Sequence, residues 1–403
     1  MTDQLVLVLG TLDTKGPEVA FLAEAIRRRG VSPRVLDLSV FGPPGAEADV
    51  AREAVARAAG TSVEALRSLG DRADALAAMA RGAIVHARHL LDEGRLAGLV
   101  AIGGSQGTVA ATRVMAALPF GLPKLMVSTM ASGNTRPYVG GADIAMLFPV
   151  VDLLGLNRFC RRSLENAAAA IAGMASAWRP TPPADAAEVA LTAFGATTPC
   201  VMAAAARLRD AGFDPVVFHA NGTGGQALET WIDRGEFGGV LDLTTTELAD
   251  ELAGGHRSAG PGRLEAAGRR GLPQVIAPGA LDMVNFGPPE TVPVAYAGRC
   301  LHRHNAGTTL MRTTPPENAR LGEWMAEKLN RATGPAGVVV PTKGFSAYDV
   351  ANGPFFDPAA DAAFVTGLKA ALRPGIPVRE IDAHVNDAAF AEAAVALYRE
   401  LAR

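Results

Sequence analysis

The chain has 403 residues, with 38 Lys and Arg against 41 Asp and Glu, so its net charge of −3 leaves no basic excess to hold nucleic acid or an anionic membrane. Hydrophobic residues at 49% exclude a wholly disordered chain, and at about 100–200 residues per domain the length predicts two domains. Three widely spaced cysteines, Cys160, Cys200 and Cys300, exclude a disulfide framework and a zinc cluster of CxxC spacing, and predict a reducing, cytoplasmic setting.

The amino-terminal run has an acid at Asp3, no basic residues ahead of it and too few apolar residues for a signal sequence. Residues 167–178, the longest uncharged helical stretch, fall short of the roughly 20 that a membrane span needs, so no membrane partner is expected. Beyond this, short apolar runs alternate with helical periodicities, the pattern of βα units and a parallel sheet.

The first strand, residues 5–9, runs into Gly10-Thr11-Leu12-Asp13-Thr14-Lys15-Gly16 ahead of a helix over 17–29. Thr14 is expected to cap that helix, Asp13 to hold a metal-bound phosphate or a hydroxyl, and Lys15 to bring charge to a phosphate. The plainer alternative is a capped helix start with solvated charges. After a strand at 34–38 and a helix over 71–93, a strand at 96–102 meets Gly103-Gly104-Ser105-Gln106-Gly107-Thr108 and a helix over 108–118. Glycines there let backbone approach an anion, while Ser105 and Thr108 add hydroxyls or a magnesium ligand. The segment matches neither GxGxxG nor GxxxxGK[ST], and a tight strand-to-helix turn is its alternative.

A strand at 123–128 precedes Ser128-Thr129-Met130-Ala131-Ser132-Gly133-Asn134-Thr135-Arg136, whose hydroxyls and arginine suit either a nucleotide wall, continued by residues 138–143, or a surface turn. A helix over 153–177 leads to WRPTPPA at 178–184, where three prolines predict an extended connector. That places a nucleotide-binding lobe at 1–180 and a second lobe, with a substrate site, at 181–403. Strands at 189–194, 215–218, 239–243, 273–277, 337–341 and 378–381 follow, with helices over 315–331 and 388–401. GRLAGLVAIGGSQGT is answered by GEFGGVLDLTTTELAD and GLPKLMVST by GLPQVIAPG, so the fold class expected is α/β, two Rossmann-like lobes with mainly parallel sheets and a cleft between them.

In the second half, His219-Ala220-Asn221-Gly222-Thr223-Gly224-Gly225 reads as another glycine-rich anion cradle with an imidazole at its entrance, or as a glycine turn. Thr244, Thr245 and Thr246 exceed what capping requires, and Glu247 fits a capping box with Thr244. Residues 280–289 read as a long irregular segment with Asp282 and Asn285 as polar candidates. His302 and His304 share a face if extended. With Asp282 or Glu247 they are candidates for a metal site, for acid-base work or for structure. Arg312 before Thr313-Thr314-Pro315 is a candidate anion anchor, and Asp382 and His384 are candidates to join this site.

GTLDTKG, GGSQGT, STMASGNTRPYVGGADI, FHANGTGG, DLTTTEL, PGALDMVNFGPPETVP, HRHN and RTTPPEN occur here in the order found in the tomato mosaic virus resistance protein-like (Tm-one-like) ATP-binding family, which the sequence resembles over essentially its whole length. The resemblance implies two Rossmann-like lobes, ATP on the first lobe, and self-association as a homo-oligomer. Its ATP contacts would fall among Gly10 to Lys15, Gly103 to Thr108 and Ser128 to Arg136. The reading that follows is an enzyme that binds Mg-ATP on the first lobe, with Asp13 positioning magnesium, and a small anionic substrate on the second. His219, His302, His304 or Asp282 would handle protons. One alternative is a non-catalytic ATP-binding module that a partner reads. Another is a metal-assisted lyase or hydrolase centred on the second lobe.

Overall fold

Alternation along the first strand sets the layers of the N-terminal unit. In β1 (Leu5–Gly10), Leu5, Leu7 and Leu9 enter one apolar core while Val6 and Val8 enter another, as a strand covered on both faces must. The computed structural model describes residues 4–180 and 186–403, and the chain divides into two units, residues 1–182 and 183–403. The connector expected at 178–184 lies, over 181–184, outside the described residues.

After β1 come α1 (Leu12–Arg27), β2 (Ser32–Asp37), α2 (Arg52–Ala58), α3 (Val63–Ser68), α4 (Arg72–Asp92), β3 (Leu96–Gly103), α5 (Ser105–Ala116), β4 (Lys124–Ser128), α6 (Arg136–Val139), β5 (Ala145–Leu147) and α7 (Arg158–Ala177). The strands form one parallel sheet in the order β2-β1-β3-β4-β5. Helices α1 and α7 cover one face, and α2 to α5 the other. The helix expected from 153 begins instead at Arg158, because Asn157 accepts hydrogen bonds from the Phe159 and Cys160 amides at 3.0 Å and caps it there.

The C-terminal unit repeats the plan. It contains β6 (Glu188–Ala193), α8 (Thr198–Asp210), β7 (Asp214–His219), α9 (Thr223–Arg234), β8 (Gly239–Thr244), α10 (Thr246–Ala253), α11 (Ala266–Arg269) and β9 (Gln274–Gly279). After β10 (Met283–Phe286), β11 (Leu301–Asn305) and β12 (Thr308–Arg312) come α12 (Pro315–Asn330), β13 (Ala336–Pro341), α13 (Pro358–Ala371), β14 (Val378–Ile381) and α14 (Ala388–Leu401). Six strands form a parallel sheet, β7-β6-β8-β9-β13-β14, whose first five run in the same relative order as the N-terminal sheet. Between β9 and β13 the chain inserts a three-stranded antiparallel sheet, β10-β12-β11. The segment 280–289 is therefore not irregular as expected: its centre is the buried strand β10. Both units are α/β with largely parallel sheets, and no described helix is long and apolar enough to cross a membrane.

Candidate functional site

In an open parallel sheet, ligands bind outside the carboxyl ends of the strands where the strand order reverses, because loops diverge there and leave a crevice. In the N-terminal unit that point lies between β1 and β3. A pocket of about 340 Å³ sits there, lined by Thr11, Asp13, Thr14 and Lys15 after β1, Ser39 to Phe41 after β2, and Gly104 to Gly107 after β3, with Arg72 and Leu76 of α4 closing it. The two loops singled out from the sequence thus meet at one sheet edge.

The glycines of these loops divide by what their missing side chains would meet. A Cβ on Gly10 would lie 2.5 Å from Val19 Cγ2, and one on Gly103 3.0 Å from the Gly107 carbonyl carbon, so these two serve packing. On Gly104 and Gly107 it would meet nothing closer than 3.9 Å and would occupy pocket space. Gly104 is the N-cap of α5, with no side-chain cap and no acid in the first turn, so the amides that open this helix face the pocket without a local anion. Asp13 accepts from the Gly42 amide at 3.1 Å through Oδ2 only.

Several expectations need correction here. The Lys15 ammonium donates to the Leu153 carbonyl and lies 3.7 Å from Asp152, so its charge is turned away from the role of free phosphate partner. Thr14 does not cap the helix: α1 starts with a turn at Leu12 and is kinked at Lys15 (φ −130°, ψ 20°), and the Thr14 hydroxyl faces back to the Thr11 hydroxyl at 2.8 Å and the Thr11 carbonyl at 3.3 Å. Thr108 and Ser128 are buried with their hydroxyls 2.6 Å apart, which leaves Thr108 none for magnesium and Ser128 none for the nucleotide wall. Thr129, Ser132, Gly133 and Arg136 occupy a 3-10 turn and the start of α6, outside the pocket lining. What the sequence reading missed is Arg72. Its guanidinium lies 5.0 Å from the Phe41 ring centroid and has no ion-pair partner among the described residues. The signal was present, since a helix leading back into a parallel strand starts at the carboxyl edge, and Asp71 caps this one.

In the C-terminal unit the anion cradle is real, but its anion is internal. The Glu247 carboxylate accepts from the Gly222 amide at 2.6 Å and the Gly225 amide at 3.0 Å, while Asn221 Oδ1 takes the Gly224 amide at 3.0 Å. Thr223 begins α9 directly behind them. Glu247 therefore makes no capping box with Thr244. Its other oxygen accepts from Arg263 Nε at 2.6 Å, and Arg263 also makes a two-pronged pair with Asp242 at 2.5 and 2.9 Å. Thr244, Thr245 and Thr246 are buried, their hydroxyls spent on Thr192 and Thr197, on the Ala277 carbonyl and on the Met283 carbonyl. These residues hold strands together and have no hydroxyl left for a substrate.

Arg312 is likewise consumed. It donates to Asp361 at 2.8 Å and to the Phe355 carbonyl, and lies 3.7 Å from Asp349, so it anchors no external anion. Asp282 is fully buried and accepts from Ser346 Oγ at 2.7 Å; burial, then the neighbouring Asp349 charge, push its carboxyl up to about 7. It underlies the 346–348 segment and lines neither the 340 Å³ nor the 410 Å³ cavity. His384 donates through Nε2 to the Ser346 carbonyl, 2.9 Å away, and Asp382 pairs with Lys343 at 3.1 Å. Among the described residues no group of three or more His, Cys, Asp or Glu is placed to hold a metal, so the His302, His304 and Asp282 or Glu247 set is not assembled.

Three predicted residues do converge. His219, Asn285 and His304 line a cavity of about 410 Å³, with Phe194, Arg257 and Tyr348, which the sequence reading did not single out. His219 stacks on Phe194, and His304 Nδ1 lies 2.7 Å from the Tyr348 hydroxyl. His302 packs on the Tyr348 and Phe355 rings, outside the cavity lining. Beneath Asn285, burial pushes the Asp250 carboxyl up to about 7. A folded pKa above the unfolded value means that folding takes up a proton over the interval, so stability is expected to fall as pH rises from about 4 to about 7 and then to level. Thermal melts across that range check it, and Asp250→Asn is expected to show a shallower decline.

Comparisons with known proteins agree with this two-unit plan. The sequence profile described as Uncharacterised protein family (UPF0261) N-terminal domain matches residues 4–180, and that of its C-terminal domain matches 186–402. A UPF0261 protein of Clostridium tetani is 43% identical over 96% of each chain, and one of Rhizobium meliloti 46% identical over 98% of this chain and 99% of its own. The ToMV resistance protein Tm-1(GCR237) of Solanum lycopersicum is 37% identical over 98% of this chain and 55% of its own length. With both domain profiles matched across nearly its whole length, the chain belongs to the UPF0261 family and is related to the tomato resistance protein.

Proposed function

We propose that the N-terminal unit binds ATP with magnesium in the pocket between the β1 and β3 loops, and that the nucleotide serves a reaction on a small anionic molecule. The observation that carries this is the convergence of three strand-end loops at the reversal of strand order, with Gly104 and Gly107 leaving the first amides of α5 open to a ligand. ATP in particular comes from the family the motifs resemble. The residues present fit it. Helix-start amides suit phosphate oxygens, Arg72 supplies the cation, and Phe41 an apolar wall. Magnesium commonly takes one or two protein carboxylates, with water and phosphate completing its shell, and Asp13 Oδ1 would be such a ligand. When bound, ATP would supply a transferable phosphoryl or adenylyl group.

A second reading has its own support: the pocket lining holds no histidine and a single carboxylate, Asp13, a poor set for proton transfer. That favours a nucleotide that is held and sensed. Phosphate and diphosphate release, with and without candidate carboxylates, separates turnover from sensing. Self-association belongs to the same proposal and is checked by sedimentation. For the site itself, Arg72→Ala is expected to weaken ATP binding by about tenfold and to flatten its salt dependence. Equal affinity in calorimetry would remove Arg72 from the site.

A further inference from the structure

We propose that the C-terminal unit carries a separate ligand site, in the cavity beside His219, for a small carboxylic acid with an apolar body and one hydroxyl or N–H donor. The cavity opens over the ends of β6, β7 and β13 and is backed by the inserted antiparallel sheet. Its volume of about 410 Å³ is in the range of small-molecule sites.

Three observations define the ligand. The first is a spare cation. The half-buried Arg257 holds its guanidinium 5.0 Å from the Phe194 ring and, among the described residues, gives it no hydrogen-bond or ion-pair partner. Arg263 and Arg312 of the same unit are both fully paired, so this guanidinium is the one placed to receive a carboxylate. The cavity offers one cation, and the glycine amides of 222 and 225 are held by Glu247, so Gly195 is the one glycine in its lining; a single cation suits a monoanion better than a phosphate.

The second is an unmet acceptor. Asn285 is 1% exposed and spends Nδ2 on Asp250 Oδ2 at 2.8 Å, and its Oδ1 has no partner. A buried acceptor left unpaired costs about 1–3 kcal/mol, which a ligand hydroxyl or N–H would relieve. The third is the floor. Asn285 faces Leu310 directly across β10 and β12, so the two side chains share one face of the small sheet, and Leu310 gives the ligand body an apolar contact. Beside them, burial and the Asp282 charge raise the Tyr348 phenol, keeping it protonated against His304 Nδ1. With the Tyr348 hydroxyl donating to Nδ1, Nε2 is the ring nitrogen left as a second donor for the carboxylate.

The cavity lies wholly within the C-terminal unit, so binding there stands apart from the nucleotide proposal. Only its role as the substrate site rests on that reading. The test uses the full chain without nucleotide, titrated calorimetrically with benzoate, the three hydroxybenzoates and phenyl phosphate. Benzoate is expected to bind, at least one hydroxybenzoate to bind about fivefold or more tightly than benzoate, and phenyl phosphate more weakly than either. Arg257→Gln is expected to weaken carboxylate binding by about tenfold or more. Ala347→Trp, an exposed lining position, fills the cavity mouth and abolishes binding without touching the core. Carboxylate binding unchanged in both variants, or no binding at all, overturns the site. Phenyl phosphate binding as tightly as benzoate overturns the carboxylate assignment, and hydroxybenzoates no better than benzoate overturn the part given to Asn285.

Discussion

Gly104→Val is expected to abolish ATP binding, by at least about 100-fold or 2.7 kcal/mol, while leaving the fold in place. Gly104 has φ −84° and ψ −159°, an extended conformation that valine adopts readily, and the nearest atom to an added Cβ is Thr129 Oγ1 at 4.0 Å. The new side chain therefore costs the protein little and takes its volume from the space in front of the α5 amides. Thermal melts should shift by no more than a few degrees, as for other substitutions that meet no crowding. Calorimetry with Mg-ATP gives the decisive reading: affinity equal to the wild type would place the nucleotide elsewhere.

Arg263→Met is expected to be the most destabilising single change in the C-terminal unit. Arg263 and its partners Asp242 and Glu247 are each buried to within 1% of complete, and Glu229 joins them at 3.4 Å. Methionine fills much of the same volume but leaves two ionised carboxylates with no cation. Breaking a buried pair from one side costs about 3–5 kcal/mol, which for a unit of this size lowers the melting temperature by about 10 °C or more. Arg320→Met serves as a control, since its pairs with Glu323 and Glu327 are about half exposed and contribute little. A melt of Arg263→Met within a degree or two of the control would show that the network is not needed.

Most of the parallel strands were legible because they hold short apolar runs bounded by glycine, proline or charge; the three-residue β5 was not. Gly104 to Thr108 and Thr11 to Lys15 were legible because they lie at the ends of such runs. The strand β10 was not: it has four residues, and its partner β12 lies more than 20 positions later, so no local alternation announces it. Lys15 shows a second limit, since the carbonyl that receives its ammonium belongs to Leu153, 138 residues away. Glu247 shows a third. In sequence it sits three residues after a threonine and imitates a capping box. Only the order β7-β6-β8 brings it under the loop 222–225, where its pull on two amides outweighs capping its own helix.

That seated carboxylate distinguishes the two halves in how they respond to what surrounds them. The start of α9 is supplied with negative charge by a covalent part of the chain, at a fixed local concentration, so no metabolite is needed to complete it. The start of α5 has no such built-in counterpart, and an anion that docks there adds its binding free energy to folding in proportion to the logarithm of its abundance. If the proposed nucleotide is that anion, resistance to heat and proteolysis is expected to track its concentration in the N-terminal unit and not in the C-terminal one.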